Sequence, residues 1–369
     1  MAQRDKTRPA AETRHRRAEA LTSRHIFLDT QVYRALGHNP ANRAMTLLKE
    51  QIDSHHVVLH VTDITLLEVE RQIRERVIAR QRDIGAIEAD LVRWRKSAPK
   101  SAPQSMPEFD AVTLGTELFR QFEYFVRYDC GAQIHRALQV TPEAVFKTYF
   151  DRRPPFDGEE SKEFPDGFVI EVLSQWCAQH GNQLYVVTED KAMMRAVAAD
   201  PRLLPLKDIH EVLARAAADL GAEGEAAAEA VFANPAFDDS FVAALKAQMG
   251  DMTYVYVGDL ADGEAYEGKL LGVEEVGDWS VVGLNDQTIN LVLDVRLRVR
   301  VEVQYENRDE AMYDREDDRW IGAETASTEV EDEIDVEVLV EVERISGIAR
   351  EAKVLTGEVL INGPSDFDY

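Results

Sequence analysis

Between residues 25 and 206 the chain alternates short unbroken apolar runs with longer segments whose apolar residues recur every three to four positions. Unbroken runs predict strands buried on both faces, and the three-to-four spacing predicts helices with one buried side. The runs fall at 25–29, 56–61, 184–188 and 203–206, the last as an edge strand. Ala44, Leu47, Leu48 and Ile52 share one face of a helix over 41–53. A long helix is predicted over 63–95, with Thr62 or Asp63 as its N-cap and the Pro/Ser stretch 97–107 at its end. An insert covers about 95–150, helical from 108 with Leu114, Leu118, Phe122 and Phe125 as its apolar positions. Segment 152–156 and the charged loop 157–163 break it, and helices over 166–180 and 190–198 complete an alternating α/β pattern with a parallel sheet.

Residues 207–249 form an alanine-rich helical connector, and after Gly250 the period changes to two. Over 288–305 the odd positions from Leu291 to Val303 are apolar, and Arg296, Arg298 and Arg300 lie on the other face. Over 333–343 Ile334, Val336, Val338, Val340 and Val342 alternate mainly with acids. An Arg-rich face and a Glu-rich face favour each other across an antiparallel pair, by about 0.2–1 kcal/mol per charge pair. These two strands are therefore expected to pair, joined by an acidic loop over 306–328. With shorter strands near 253–258, 266–273, 279–283 and 355–361, residues 250–369 read as an antiparallel β domain, a sandwich or a curled sheet.

The net charge of −26 is unevenly placed. Residues 251–369 hold 31 acids against 10 bases, so the first 250 residues are close to neutral. The acidic part should repel nucleic acid, which leaves the N-terminal part to bind it. Residues 1–23 read as a disordered basic arm, and the absence of an apolar core there argues against a secretory signal. No apolar run reaches 18 residues, so no transmembrane helix is expected. Two cysteines, Cys130 and Cys177, make no disulfide framework, and a reducing cytoplasmic location is the expectation.

Four acids stand where such a sheet would gather them. Asp29 ends one apolar run, Glu68 follows the second by seven residues, Asp166 opens a helix and Asp190 closes the run from Leu184. In open α/β sheets, ligands bind beyond the carboxyl ends of the strands. Carboxylates gathered there repel one another unless a divalent cation lies among them, which points to Mg²⁺ or Mn²⁺ and to phosphoryl chemistry. Singly, each Asp also reads as a helix cap or turn residue. Glu68 is the most informative, because Leu66, Leu67 and Val69 surround it. Neither a phosphate-binding P-loop nor a dinucleotide fingerprint is present.

The segments Phe-Leu-Asp-Thr (27–30), Thr-Leu-Leu-Glu-Val (65–69), Glu-Phe-Pro-Asp-Gly-Phe (163–168) and Val-Val-Thr-Glu-Asp (186–190) together resemble the PIN-domain nucleases. The Pro-Pro-Phe segment before Glu-Phe-Pro-Asp is similar to longer bacterial PIN-like proteins with a helical insert. The resemblance covers residues 24–206. It implies a three-layer α/β/α fold and a Mg²⁺- or Mn²⁺-dependent endonuclease acting on RNA, less often on single-stranded or flapped DNA. It implies Asp29, Glu68, Asp166 and Asp190 as metal-binding and catalytic residues, with Thr188 orienting a carboxylate or water. Two departures stand out. Gln31 occupies a position where Asn is common, and Gly167 one where a small helix former is usual. Arg152, Arg153, Lys162 and Lys191 are candidates for substrate phosphates. The alternative is a binding scaffold that does not cut. Further expectations are a homodimer through the helix over 63–95, and either a protein partner or an autoinhibitory contact for the acidic C-terminal domain.

Overall fold

His25–Leu28 (β1) is a four-residue apolar strand with every residue buried, as a strand covered on both faces must be. The computed structural model that shows this describes residues 15–16, 18–97, 108–158, 164–308, 311–314, 319–356 and 358–363. It divides into a unit of residues 21–216 and a second unit formed by residues 217–369 with the segment before Leu21.

In the first unit β1 is followed by α1 (Thr30–Ala35), α2 (Arg43–Asp53), β2 (Val58–Thr62) and the 35-residue α3 (Asp63–Ser97). Then come α4 (Ala111–Tyr124), β3 (Gln133–His135), α5 (Pro142–Phe150), α6 (Phe164–His180), β4 (Leu184–Val187), α7 (Lys191–Ala198), β5 (Leu203–Leu206) and α8 (Ile209–Ala216). Five parallel strands make one sheet in the order β3-β2-β1-β4-β5, with β5 at an edge. Phe27, Leu184 and Val186 join Val169, Leu173, Trp176 and Cys177 of α6 in one buried cluster, so α6 covers a face of the sheet. The Thr62 hydroxyl accepts the amide hydrogen of Thr65, which caps the start of α3. The insert is helical as expected, but it also supplies β3. That strand has only three residues and lies between helices, too short for a periodicity to show.

In the second unit α9 (Gly221–Phe232) and α10 (Pro235–Gln248) precede β6 (Thr253–Val257), β7 (Glu264–Leu284), β8 (Thr288–Asn307), β9 (Met312–Asp314), β10 (Arg319–Ile321), β11 (Glu324–Glu343), β12 (Ala349–Val354) and β13 (Glu358–Asn362). The main sheet is antiparallel in the order β12-β11-β8-β7, beside a parallel pair of β6 and β13. The expected pairing of charged faces is present: Arg296, Arg298 and Arg300 stand opposite Asp335, Glu333 and Glu331. Arg296 binds Asp335 at 2.8 Å and Arg300 binds Glu331 at 2.6 Å. Phe237, Phe241 and Leu245 of α10 pack with the alternate apolar residues of β8 and β11.

Three expectations need correction here. The acidic loop over 306–328 is shorter, because β8 runs to Asn307, β11 begins at Glu324, and β9 pairs with β10 between them. The two strands expected over 266–273 and 279–283 are one strand, β7, whose repeated register shifts against β8 break the period of two. The arm expected over 1–23 is ordered in part. His15 stacks on Trp279 at 4.4 Å and bonds Glu225, while residues 1–14 lie outside the described residues. The helical stretch 207–249 is shared out, α8 in the first unit and α9 and α10 in the second.

Candidate active site

The sheet of the first unit changes direction between β1 and β4. Strands β2 and β3 step away on one side and β5 on the other, which leaves a crevice at the carboxyl ends of β1 and β4. Asp29 leaves β1 at this crevice and is only 7% exposed. It caps α1, its Oδ1 accepting the Thr30 amide hydrogen at 2.6 Å. Thr188, fully buried and next after β4, donates its hydroxyl to Asp29 Oδ2 at 2.7 Å. The same hydroxyl oxygen accepts the amide hydrogen of Asp190 at 3.0 Å. Asp190 in turn caps α7, its Oδ1 accepting from the Met193 amide at 2.7 Å. Thr188 is thus the joint that locks the β1 and β4 ends together.

Glu68 is half-buried in the first turns of α3, while its neighbour Leu67 points to solvent. Burial, and next the charge of Asp29, push the Glu68 carboxyl above its ordinary range, against the opposing pull of Arg71 and a hydrogen bond from Thr30. Asp29 is also raised, by burial first and by the charge of Asp190 last, although Thr188 and Thr30 hydrogen bonds oppose the shift. The Thr30 hydroxyl, 3.3 Å from Asp29 Oδ1, lies beside both acids and gives its single hydrogen to one of them at a time. Asp29 thus feels the charge of Asp190 and Glu68 that of Asp29 across this crevice, and Arg71 offsets the charge at Glu68 only in part.

Asp166 lies half-buried in the first turn of α6. The direction of α6 follows from its contacts. His25 at the start of β1 lies against Trp176, 4.8 Å between ring centroids, and Phe27 shares a cluster with Leu173 and Val169. The helix therefore runs opposite to β1. From Trp176 back to Asp166 is about 15 Å of helix, and from His25 on to Asp29 is about 13 Å of strand. Asp166 thus arrives at the same end of the sheet as Asp29. Among the described residues no three His, Cys, Asp or Glu side chains are gathered so as to enclose a metal ion. Mg²⁺ does not need such a cage: it keeps several waters and binds through one or two carboxylates and the substrate phosphates. Oxygen donors whose negative form is disfavoured by burial and by one another fit a hard divalent cation.

A family model described as "PIN domain" matches residues 26–193, which span every element from β1 to the start of α7. Residues 26–193 form a PIN domain. This domain marks a nuclease, typically a metal-dependent one. No curated protein and no solved structure matches the chain.

The PIN domain places the remaining candidates less centrally. Gln31 is exposed in the first turn of α1, and Thr30 takes the place beside Asp29 and Glu68. Thr30 was open to recognition, since a hydroxyl directly after a strand-end Asp faces the same crevice. Arg152, Arg153 and Lys191 are exposed, and Arg153 pairs with Asp151 at 3.3 Å. Lys162 lies outside the described residues. Gly167 has a steric reason: a Cβ there would stand 2.5 Å from Cζ of Phe156. The Pro-Pro-Phe segment thus seats its ring beneath the turn that carries Asp166.

Proposed function

We propose that the chain is a metal-dependent endonuclease that hydrolyses phosphodiester bonds of RNA, with Asp29, Glu68, Asp166 and Asp190 holding Mg²⁺ or Mn²⁺. The observation that carries this reading is the buried, hydroxyl-tethered Asp29 with Glu68 beside it at the switch point of a PIN-domain sheet. When bound, the cation supplies a water of lowered pKa and offsets the charge of the phosphate. The protein's own part is orientation. Thr188 and the Thr30 amide hold both Asp29 oxygens in one position, and the Asp190 cap ties its carboxylate to the start of α7. Arg71 beside Glu68 offers a positive charge to the scissile strand. Buried thiols at Cys130 and Cys177 accord with a reducing, cytoplasmic setting.

The test is incubation of the purified protein with single-stranded RNA and with single-stranded DNA, in Mg²⁺, Mn²⁺ or EDTA, beside Asp29→Asn and Asp166→Asn. Cutting of RNA is expected with metal only, with a loss of at least a hundredfold in each variant. No cutting of either nucleic acid, together with no Mn²⁺ binding by calorimetry, would replace the enzyme with a scaffold that binds without cutting.

A further inference from the structure

A second feature of the same unit lies along α3 from Glu68. A pocket of about 330 Å³ opens between the α1–α2 turn, α3 and α4. Ile73, Val77, Leu114 and Leu118 supply its apolar walls, and Phe109 lies at its side. Arg76 and Arg80 line it, and no acid lines it among the described residues. His38 lines it as well, in a left-handed turn (φ 54°), and is 8% exposed. One ring nitrogen of His38, Nε2, meets Gln72 Oε1 at 2.8 Å, while buried Nδ1 has no partner. An unpaired buried polar atom is costly, so an occupant that pairs it is favoured.

The composition of the wall selects the occupant. It must be largely apolar, carry negative charge for Arg76 and Arg80, whose present partners are the Gly37 carbonyl and the exposed Asp83, and donate a hydrogen bond to His38 Nδ1, since the Nε2 hydrogen goes to Gln72 Oε1. A nucleotide meets all three requirements: a flat base with donors and acceptors on its edge, and phosphates beside it. An acyl carboxylate would leave His38 Nδ1 unmatched. The location agrees. Glu68, Gln72, Arg76 and Arg80 recur every four residues along α3, and Arg76 stands about 12 Å beyond Glu68 on the helix axis. A strand of a few nucleotides covers that span.

We propose that this pocket holds one unstacked base of the single-stranded substrate, with His38 reading the base edge and Arg76 and Arg80 holding the flanking phosphates. The proposal rests on the nuclease reading for its substrate, and its test is separable from that reading. In the Asp29→Asn chain, binding of single-stranded RNA is measured by anisotropy while one abasic nucleotide is moved along the strand. One position is expected at which loss of the base weakens binding about tenfold, in line with the worth of a held base. Leu118→Trp, which fills the mouth from a part-exposed position, should cost a similar factor with the intact strand and abolish the sensitivity. Arg76→Ala with Arg80→Ala should weaken every strand alike and lower the salt dependence. A second arm titrates the wild-type chain with free nucleoside monophosphates, followed by the His38 ring resonances. Millimolar binding lost in Leu118→Trp supports the pocket even if no RNA is cut, and then only the nuclease reading falls. RNA cut by the wild-type chain, with no abasic-sensitive position and no shift of His38, would overturn the pocket and leave the nuclease standing.

Discussion

Glu68 and Asp29 are a pair that the fold makes uncomfortable. Each carboxyl is raised first by burial, and Glu68 next by Asp29, so at neutral pH the metal-free protein carries repulsion that a cation would relieve. Glu68→Gln removes one charge and keeps the shape of the side chain. In metal-free buffer its thermal midpoint should rise by about 2–4 °C, the equivalent of roughly 1 kcal/mol in a unit of this size. Mn²⁺ should raise the wild-type midpoint, since a ligand held by the native state alone stabilises it by about 2.7 kcal/mol at a hundred times its Kd. The variant should gain much less. Calorimetry with and without Mn²⁺ decides the matter: a variant less stable than wild type in EDTA, or a wild type indifferent to Mn²⁺, would remove Glu68 from the metal site. Thr188 acts at the same scale by a different route. Its hydroxyl gives its one hydrogen to Asp29 and takes one from the Asp190 amide, a pattern that valine of the same shape could not reproduce.

Between elements, the parallel sheet assembles something that chain order conceals. His25 of β1, His60 of β2 and His135 of β3 form a buried row, with Nδ1 of His25 2.9 Å from Nε2 of His60, and Nδ1 of His60 2.8 Å from Nε2 of His135. Asn182 meets the far nitrogen of His25, and Trp176 of α6 lies across the rings. Burial is the main cause that depresses all three; Arg24 adds to it at His25, and the neighbouring imidazoles of His135 and His25 add to it at His60, which falls to about 3. The folded chain therefore keeps them neutral where the unfolded chain takes up protons. Stability should be level above about pH 7 and fall below about pH 6.5, by up to ~1.4 kcal/mol per pH unit for each imidazole. Urea unfolding at pH 7, 6 and 5 measures this, and equal stability at pH 7 and pH 5 would contradict it. The row also shows where the sequence ceased to be readable. The runs ending at Asp29 and Asp190 betray their strands because both faces of β1 and β4 are buried, and the cap residues follow at once. The histidines are 35 and 75 residues apart and meet only through the order β3-β2-β1, one member of which is a three-residue strand inside a helical insert. The Arg and Glu faces of β8 and β11 were legible for the opposite reason: antiparallel neighbours share a register that charge alone predicts. Bulges along β7 erased the same signal there.

For the whole molecule, the distribution of charge matters more than its sum. The two units have separate apolar clusters, one around Phe27 and Leu173 and the other around Phe237 and Leu297, so each has a core of its own. A PIN domain in the first unit is covalently tied to a region with 31 acids and 10 bases. Some of those acids are neutralised within their own sheet, where Arg296, Arg298 and Arg300 meet acids of the two neighbouring strands. The remainder opposes any polyanion that approaches. A tethered negative region weakens nucleic-acid binding through long-range field, so its effect must track the Debye length, about 30 Å at 0.01 M salt and under 5 Å at 0.5 M. The fragment 21–216 should therefore bind single-stranded RNA several-fold more tightly than the full chain near 0.01 M salt, and equally at 0.5 M. A direct contact that masks the site would give a different signature, with the full chain weaker at both concentrations and slower in cutting. Equal binding at low salt would mean that the acidic unit neither repels nor restrains, and would leave recognition of a separate partner as its role. Anisotropy across a salt series on the two chains, each as the Asp29→Asn variant, separates the three.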